Sequence, residues 1–189
     1  MANLDAPQGF TPTRHIAGGV IRTNAYEIAN SSATSIFTGD AVQLLTTGVI
    51  DLAANDKKVI GIFAGCEYTD QGTGDVKFLK VWTASTTVKT NSAVKAYVYD
   101  DPDITFNIQC DGVFANTDVG LNSNVLLTAG NTEFGYSKQE LTVSTFAATA
   151  TLPMRILRLI DEPSNAVGSN AKVEVYINNH QLRANSAGI

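Results

Sequence analysis

The chain has 189 residues, of which 44% are hydrophobic, a composition typical of a globular protein that can bury a core without disulfides or metals. The net charge is −5, and the basic residues occur singly or in pairs such as Lys57-Lys58, which argues against a nucleic-acid partner. No apolar run approaches the length of a membrane span, so we expect no membrane association. The polar first residues also predict no secretory signal.

The first 14 residues are predicted to form an extended N-terminal arm, and residues 15–189 a single all-β domain. Pro7 and Pro12 disfavour a helix and push the residues before them towards extended geometry. Phe10 is the one aromatic side chain in this segment. It can anchor the arm on its own domain or on a neighbouring subunit, and the sequence leaves both open.

Short β-like runs separated by turn residues make up the rest of the chain. Apolar and polar side chains alternate within residues 104–109 and again within 173–178. One helical turn is predicted at residues 116–121, with Asn116 as its cap. The pattern predicts an all-β fold, either a β-barrel or a jelly-roll-like β-sandwich. In chain order the predicted strands are 19–23, 26–29, 41–45, 48–52, 58–63, 76–82, 94–99, 104–109, 125–127, 141–146, 154–160 and 173–178.

No catalytic or metal-binding set stands out in the sequence. The two histidines, His15 and His180, are interpreted as surface or interface hydrogen bonders. Asp100, Asp101 and Asp103 could supply part of a calcium site, but Asp and Pro also form such turns without an ion, and we favour that interpretation. We therefore expect no enzymatic activity, no cofactor and no bound metal.

Aromatic and cysteine side chains leave two alternatives open. Phe78, Trp82, Tyr97 and Tyr99 could form a platform for a sugar, although packing in a sheet core is the interpretation that we favour. Cys66 and Cys110 each lie at the edge of an apolar run. A disulfide between them is open, and two buried, reduced thiols are the expectation.

Six segments spread in order over the chain carry a resemblance. They are PQGFTP at residues 7–12, which precedes Arg14 and His15, then FTGDAV at 37–42 and IGIFAGC at 60–66. The others are VYDDPDITFNIQ at 98–109, DVGLN at 118–122 and INNHQL at 177–182, of which the 98–109 segment is the closest match. Together they resemble the decoration (cement) proteins of tailed-phage heads.

This resemblance implies a non-enzymatic virion protein, made in the host cytoplasm and bound to the outside of the phage head. Its partner would be the major capsid protein, and it would stabilise the joints between capsomers against the pressure of packaged DNA. The resemblance also implies a homotrimer, with a dimer as the alternative. We expect the arm to contact the capsid or a neighbouring subunit through Pro7, Phe10, Pro12, Arg14 and His15.

Other classes of function are also compatible with an all-β chain. A carbohydrate-binding or adhesin-like module would use Trp82 and tyrosines on an exposed face. A tail-tube or head–tail joining protein would form rings or tubes. A β-sandwich hydrolase is less favoured, because no pair of acidic residues stands out as a general acid and base.

Overall fold

The computed structural model describes residues 3–54 and 57–183, and these residues fold almost entirely as β-structure, which confirms the predicted all-β class. Two 3-10 turns, Asn116–Asp118 and Val143–Thr145, interrupt the strands. The strands are β1 Thr11–His15, β2 Asn24–Ile28, β3 Ile36–Phe37, β4 Ala41–Leu44, β5 Val49–Leu52, β6 Gly61–Thr69, β7 Val76–Leu79, β8 Val81–Trp82, β9 Val94–Tyr99, β10 Ile104–Gln109, β11 Val113–Phe114, β12 Asn122–Ser123, β13 Val125–Leu126, β14 Glu140–Leu141, β15 Met154–Leu159, β16 Gly168–Ser169 and β17 Lys172–Ile177.

Five strands close into a small barrel in the order β4-β5-β2-β9-β6, and a pairing between β4 and β6 completes the ring. β2 and β5 run parallel, whereas the other pairs are antiparallel. Along β9, Val94, Ala96 and Val98 are buried in the barrel core while Lys95 and Tyr97 lie on the outside, as the period of two requires. β7 extends the sheet beyond β6 and is its last strand.

A second sheet of five strands, in the order β1-β10-β17-β15-β12, packs against the barrel. Phe106 of β10 lies opposite Val175 of β17 on its inner face. The same core cluster includes Ala41 and Ile62 from barrel strands, so the two sheets share one apolar interior. Burying a side chain of valine or phenylalanine size contributes roughly 1.5–3 kcal/mol.

The N-terminal segment is extended, as predicted, but it is integrated into the fold. Phe10 is only 2% exposed, and its ring packs edge-on against Phe106 at a centroid distance of 6.2 Å. The strand β1 then pairs antiparallel with β10, so the predicted boundary at residue 14 falls inside a strand. The sequence left open whether Phe10 anchors the segment on its own domain or on a neighbouring subunit, and in the structure it packs on its own domain.

A close approach between two glycines fixes this segment against the barrel. Gly9 and Gly39 both have positive φ, +67° and +93°. The N–H of Phe10 donates to the carbonyl of Gly39 at 2.9 Å, and a Cβ at Gly9 would lie 2.6 Å from that same oxygen. The motifs at residues 7–12 and 37–42, far apart in sequence, therefore contact each other.

Several strand predictions agree with the structure and others are wrong. β9 and β10 have the predicted bounds, and most other runs shift by a residue or two. The predicted run 58–63 overlaps only the start of β6, which is Gly61–Thr69, and the run 76–82 is divided between β7 and β8. Residues 19–23 form no strand, and the run 141–146 is split between β14 and the 3-10 turn Val143–Thr145. At the predicted helix, Asn116 is not the cap but the first residue of a short 3-10 turn. The N–H of the preceding Ala115 donates to Asp118 Oδ2 at 2.8 Å.

The two cysteines are unpaired and lie apart. Cys66 belongs to the barrel core, whereas Cys110 belongs to the core shared with the second sheet. Burial raises the pKa of each thiol to about 12, so neither is a reactive thiolate near neutral pH. Within residues 3–54 and 57–183, no helix has the length and apolar character needed to cross a bilayer.

Candidate docking surface

The outer face of the five-stranded sheet carries a cluster of arginines, and β-bulges place two of them there. In β1 the register with β10 shifts between Pro12 and Arg14, and in β15 the register with β17 shifts between Ile156 and Arg158. Each shift adds one residue, and a one-residue change moves a side chain to the opposite face of a sheet. The bulges therefore bring Arg14 and Arg158 to the same outer face as Glu174.

Glu174 is the buried centre of an ion-pair network on this face. It is 2% exposed, and its Oε1 accepts from Arg14 Nε at 2.7 Å while its Oε2 accepts from Arg158 Nε at 2.5 Å. Burial alone would raise the pKa of Glu174, but hydrogen bonds from Thr105 and from the two guanidinium groups outweigh burial and lower it. The carboxylate therefore stays ionised and orients both arginines.

Both arginines are held through Nε alone, and this leaves their outer ends available. The side chains of Arg14 and Arg158 are 47% and 63% exposed. Among the described residues, no hydrogen bond is recorded from the Nη groups of either one. A guanidinium fixed in this way presents a planar pair of donors that matches a carboxylate or phosphate.

Tyr176 follows Glu174 by two residues on the same face of β17, and two further arginines lie close to its ring. Arg183 lies 5.4 Å and Arg155 6.0 Å from the centre of its ring. Arg155 Nε also donates to Asn122 Oδ1 at 2.8 Å. Four of the five arginines in the sequence thus gather around one sheet face, although the chain as a whole is acidic. We call Arg14, Arg155, Arg158, Glu174, Tyr176 and Arg183 the arginine face.

One edge of the arginine face is formed by the acidic turn between β9 and β10. His15 Nε2 lies 3.2 Å from Asp101 Oδ2, and Asp103 Oδ1 lies 3.3 Å from Arg183 Nη2. The backbone N–H of Asp103 donates to Asp101 at 3.0 Å and is the main reason that the pKa of Asp101 lies below its ordinary value. Asp101 and Asp103 therefore each have a partner within the chain, His15 and Arg183 respectively.

The three acids considered for calcium do not converge on one point. Asp100 is buried, and Asn24 and Tyr26 donate to its carboxylate at 2.9 and 2.6 Å. Ligating atoms of His15, Asp101 and Asp103 do lie within 4.8 Å of one another. The guanidinium of Arg183 beside Asp103 disfavours a second cation there.

The predicted interface residues end up in two different environments. Arg14 and His15 lie at the arginine face, and Pro7 and Pro12 are half-buried on the N-terminal segment. Phe10 points into the core, so its side chain is not available to a neighbouring subunit in this structure.

Sequence reasoning missed Arg155, Arg158 and Arg183 at the arginine face. The alternation of residues 173–178 placed Glu174 and Tyr176 on one face of a strand, and that was the available signal. Arg14 lies 160 residues before Glu174, and no local pattern indicated that the two would contact each other.

The other candidate residues have structural roles. Trp82 is fully buried and packs edge-on against Tyr68 at 5.8 Å, so it cannot belong to an exposed sugar platform. Tyr97 donates to Glu67 at 2.6 Å on the outside of the barrel. His180 was interpreted as a surface or interface hydrogen bonder, but it is 2% exposed and therefore does not lie at the surface of the folded chain.

Comparison of the chain with known protein families, with curated proteins and with solved structures finds no match.

Proposed function

We propose that the chain is a decoration protein of a phage head, which binds the outer surface of the assembled shell and acts by adhesion. The arginine face is the docking surface, and its partner is an acidic surface of the major capsid protein. The observation that carries this proposal is the concentration of four arginines on one sheet face of an acidic chain.

The build of the arginine face suits a docking role. Arginine and tyrosine are enriched at protein interfaces, because each combines a large contact area with hydrogen-bonding groups. Glu174 and the ring of Tyr176 hold the guanidinium groups in place before a partner arrives. Such pre-organisation reduces the side-chain entropy that is lost on binding.

Stabilisation of the shell follows from selective binding. A protein that binds the expanded, assembled lattice but not its separated subunits shifts the equilibrium towards the lattice by mass action. Many copies on one head act together, so modest individual contacts suffice. A symmetric oligomer of the chain would match the local symmetry of the lattice.

The test is co-sedimentation of the purified chain with DNA-free phage heads that lack a decoration protein, measured over a range of salt concentrations. Replacing Arg155 and Arg183 together (Arg155→Gln and Arg183→Gln) removes two charges from the arginine face and leaves Glu174 neutralised. We expect this variant to bind heads at least about tenfold more weakly, a loss of about 1.4 kcal/mol. We also expect binding of the unmodified chain to weaken as salt rises.

A matched control removes the same charge from the barrel. The double variant Lys89→Gln and Lys95→Gln has the same net charge, and neither lysine lies on the second sheet. It should bind heads like the unmodified chain. Equal binding by both double variants would overturn the assignment of the arginine face. A chain that does not sediment with heads at any salt concentration would overturn the proposed function itself.

A further inference from the structure

The strand β7 is an edge strand with unusually apolar exposed side chains. Among the described residues its only strand neighbour is β6, and its other edge has no strand partner. Phe78 is 69% exposed and Val76 55% exposed, and Leu79 is also exposed. Exposed edges of this kind readily pair with another strand, and natural proteins usually protect them with charge or a covering segment.

A neighbouring loop enlarges this apolar surface. Lys80, which directly follows β7, donates through Nζ to the hydroxyl of Tyr136 at 2.8 Å and lies 4.5 Å from the centre of its ring. The carbonyls of Lys80 and Gly135 both accept from the N–H of Thr38. Gly135 therefore lies against Lys80 at the end of β7, and the exposed Phe134 directly precedes Gly135 in the chain.

Symmetry restricts how β7 could pair with itself. Two copies of one strand that pair antiparallel are related by a two-fold axis perpendicular to the sheet. Such an axis keeps every side chain on its own face, so one residue must lie opposite itself at the axis. Centring on Leu79 would place Lys77 and Val76 opposite Val81 and Trp82, which already pair with β3 as strand β8. Centring on Val76 would place the rest of β7 opposite residues 73–75, which precede the strand and include Gly74 at a positive φ of 77°. Centring on Lys77 would bring two Lys77–Asp70 ion pairs together at the axis with the lysines opposite each other, which is less favourable than an apolar pair there.

Centring on Phe78 avoids both problems. The two Phe78 rings then meet at the axis, and aromatic cross-strand pairs are favourable. Lys77 lies opposite Leu79 of the second copy, and Val76 lies opposite Lys80 of the second copy, so no like charges face each other.

From this geometry we infer that a second copy of this chain pairs with β7, in an antiparallel register centred on Phe78. The contact joins two barrels through one continuous sheet and gives an isologous dimer. This inference deepens the proposed function, because it names the self-contact of the oligomer and favours the dimer over the trimer that the sequence suggested first. The short ladder predicts a dimer that dissociates on dilution.

The test is sedimentation equilibrium of the purified chain across the micromolar range, without phage heads. We expect the mass to approach twice that of one chain at high concentration. Phe78→Asp places two carboxylates at the axis and should raise the dissociation constant at least about tenfold. Val113→Asp changes another exposed apolar residue, on β11, and should leave the dimer unchanged.

A cysteine variant tests the register. Phe78→Cys should be joined to its copy by a short bis-maleimide reagent, whereas Val113→Cys should not, and the buried Cys66 and Cys110 should stay unreacted. A chain that is monomeric at every concentration would overturn the inference, and so would an oligomer that Phe78→Asp leaves intact. Because heads are absent, neither result bears on head binding.

Discussion

Two buried ionisable side chains outside the docking surface give the chain a specific pH dependence. Asp40 follows β3, is 2% exposed, and accepts the N–H of Phe37 on Oδ2 at 2.8 Å. Burial raises its pKa from 3.8 to about 6, although hydrogen bonds from Ser137 and Phe37 oppose this shift. Between pH 4 and 6 the folded chain keeps a proton that the unfolded chain has released. Stability therefore falls as pH rises through this window.

Asp40→Asn should make the chain more stable at pH 7. The amide needs no proton to be neutral, and its oxygen can still accept from the N–H of Phe37. A shift of about two pKa units corresponds to roughly 3 kcal/mol, so a gain of about 2–3 kcal/mol in the free energy of unfolding is expected. Urea denaturation at pH 7 measures it, with the exposed Asp161→Asn as control. An unchanged or lower stability of Asp40→Asn would contradict this account.

His180 has the opposite effect on stability. Its Nδ1 accepts the N–H of Leu182 at 3.0 Å, and its buried Nε2 lies near the backbone of Asp100 without a well-formed hydrogen bond. Burial lowers its pKa from 6.5 to about 4, with a further contribution from the charge of Arg183. As pH falls from 6.5 to 4, His180 becomes protonated in the unfolded chain but stays neutral in the folded chain, so stability falls.

In the unmodified chain, the contributions of Asp40 and His180 to the pH dependence of stability have opposite signs and should nearly cancel between pH 4 and 6. His180→Asn keeps an acceptor for Leu182 but cannot titrate, so its stability should fall as pH rises, by roughly 3 kcal/mol over this window. Asp40→Asn should show the reverse slope. Urea denaturation at a series of pH values separates the two contributions. Parallel curves for both variants would show that these groups do not control the pH dependence.

At the scale of elements, the N-terminal segment acts as part of the core. Phe10→Ala should lower the free energy of unfolding by about 3–4 kcal/mol, because it leaves a cavity against Phe106. Thr13→Ala, on an exposed position of the same segment, should change stability by no more than about 0.5 kcal/mol. Equal stability of the two variants, measured in urea, would mean that the segment is the separable arm predicted from the sequence.

The alternation and turn residues in the sequence predicted many of the strands, but they could not predict contacts between segments that are distant in the chain. Alternation identified β10 with its correct ends, and the β-like run at residues 94–99 did the same for β9. The same signal was absent in β1, where Pro12 and the bulge at residue 13 hide the period of two. Whether Phe10 packs on its own domain depends on Gly39 and Phe106, which are distant in sequence, so periodicity could not decide it.

The candidate surface was predicted only in part, because it too depends on contacts between distant segments. Arg14 and His15 were predicted as interface residues because the N-terminal arm resembles that of decoration proteins, and both lie at the arginine face. Arg158 faces Glu174 only because β15 has a bulge, and a bulge changes which side of the sheet a residue occupies without a clear mark in the sequence. Pairing of four strands then brings the arginines together.

At the scale of the whole molecule, the two surfaces lie on different parts of the fold. The arginine face belongs to the five-stranded sheet, whereas β7 is an edge of the barrel sheet. One surface can therefore contact the shell while the other contacts a second copy. A dimer would present two arginine faces, so its binding to a repeating lattice would gain from avidity.

Adhesion to an assembled lattice is tested most directly by comparing two binding partners at equal subunit concentration. Purified chain is mixed either with assembled DNA-free heads or with unassembled capsid subunits, and the bound fraction is measured. The account predicts saturable binding to the heads with a fixed number of copies per head, and little binding to free subunits. Absence of binding to the heads, or equal binding to both forms, would contradict it.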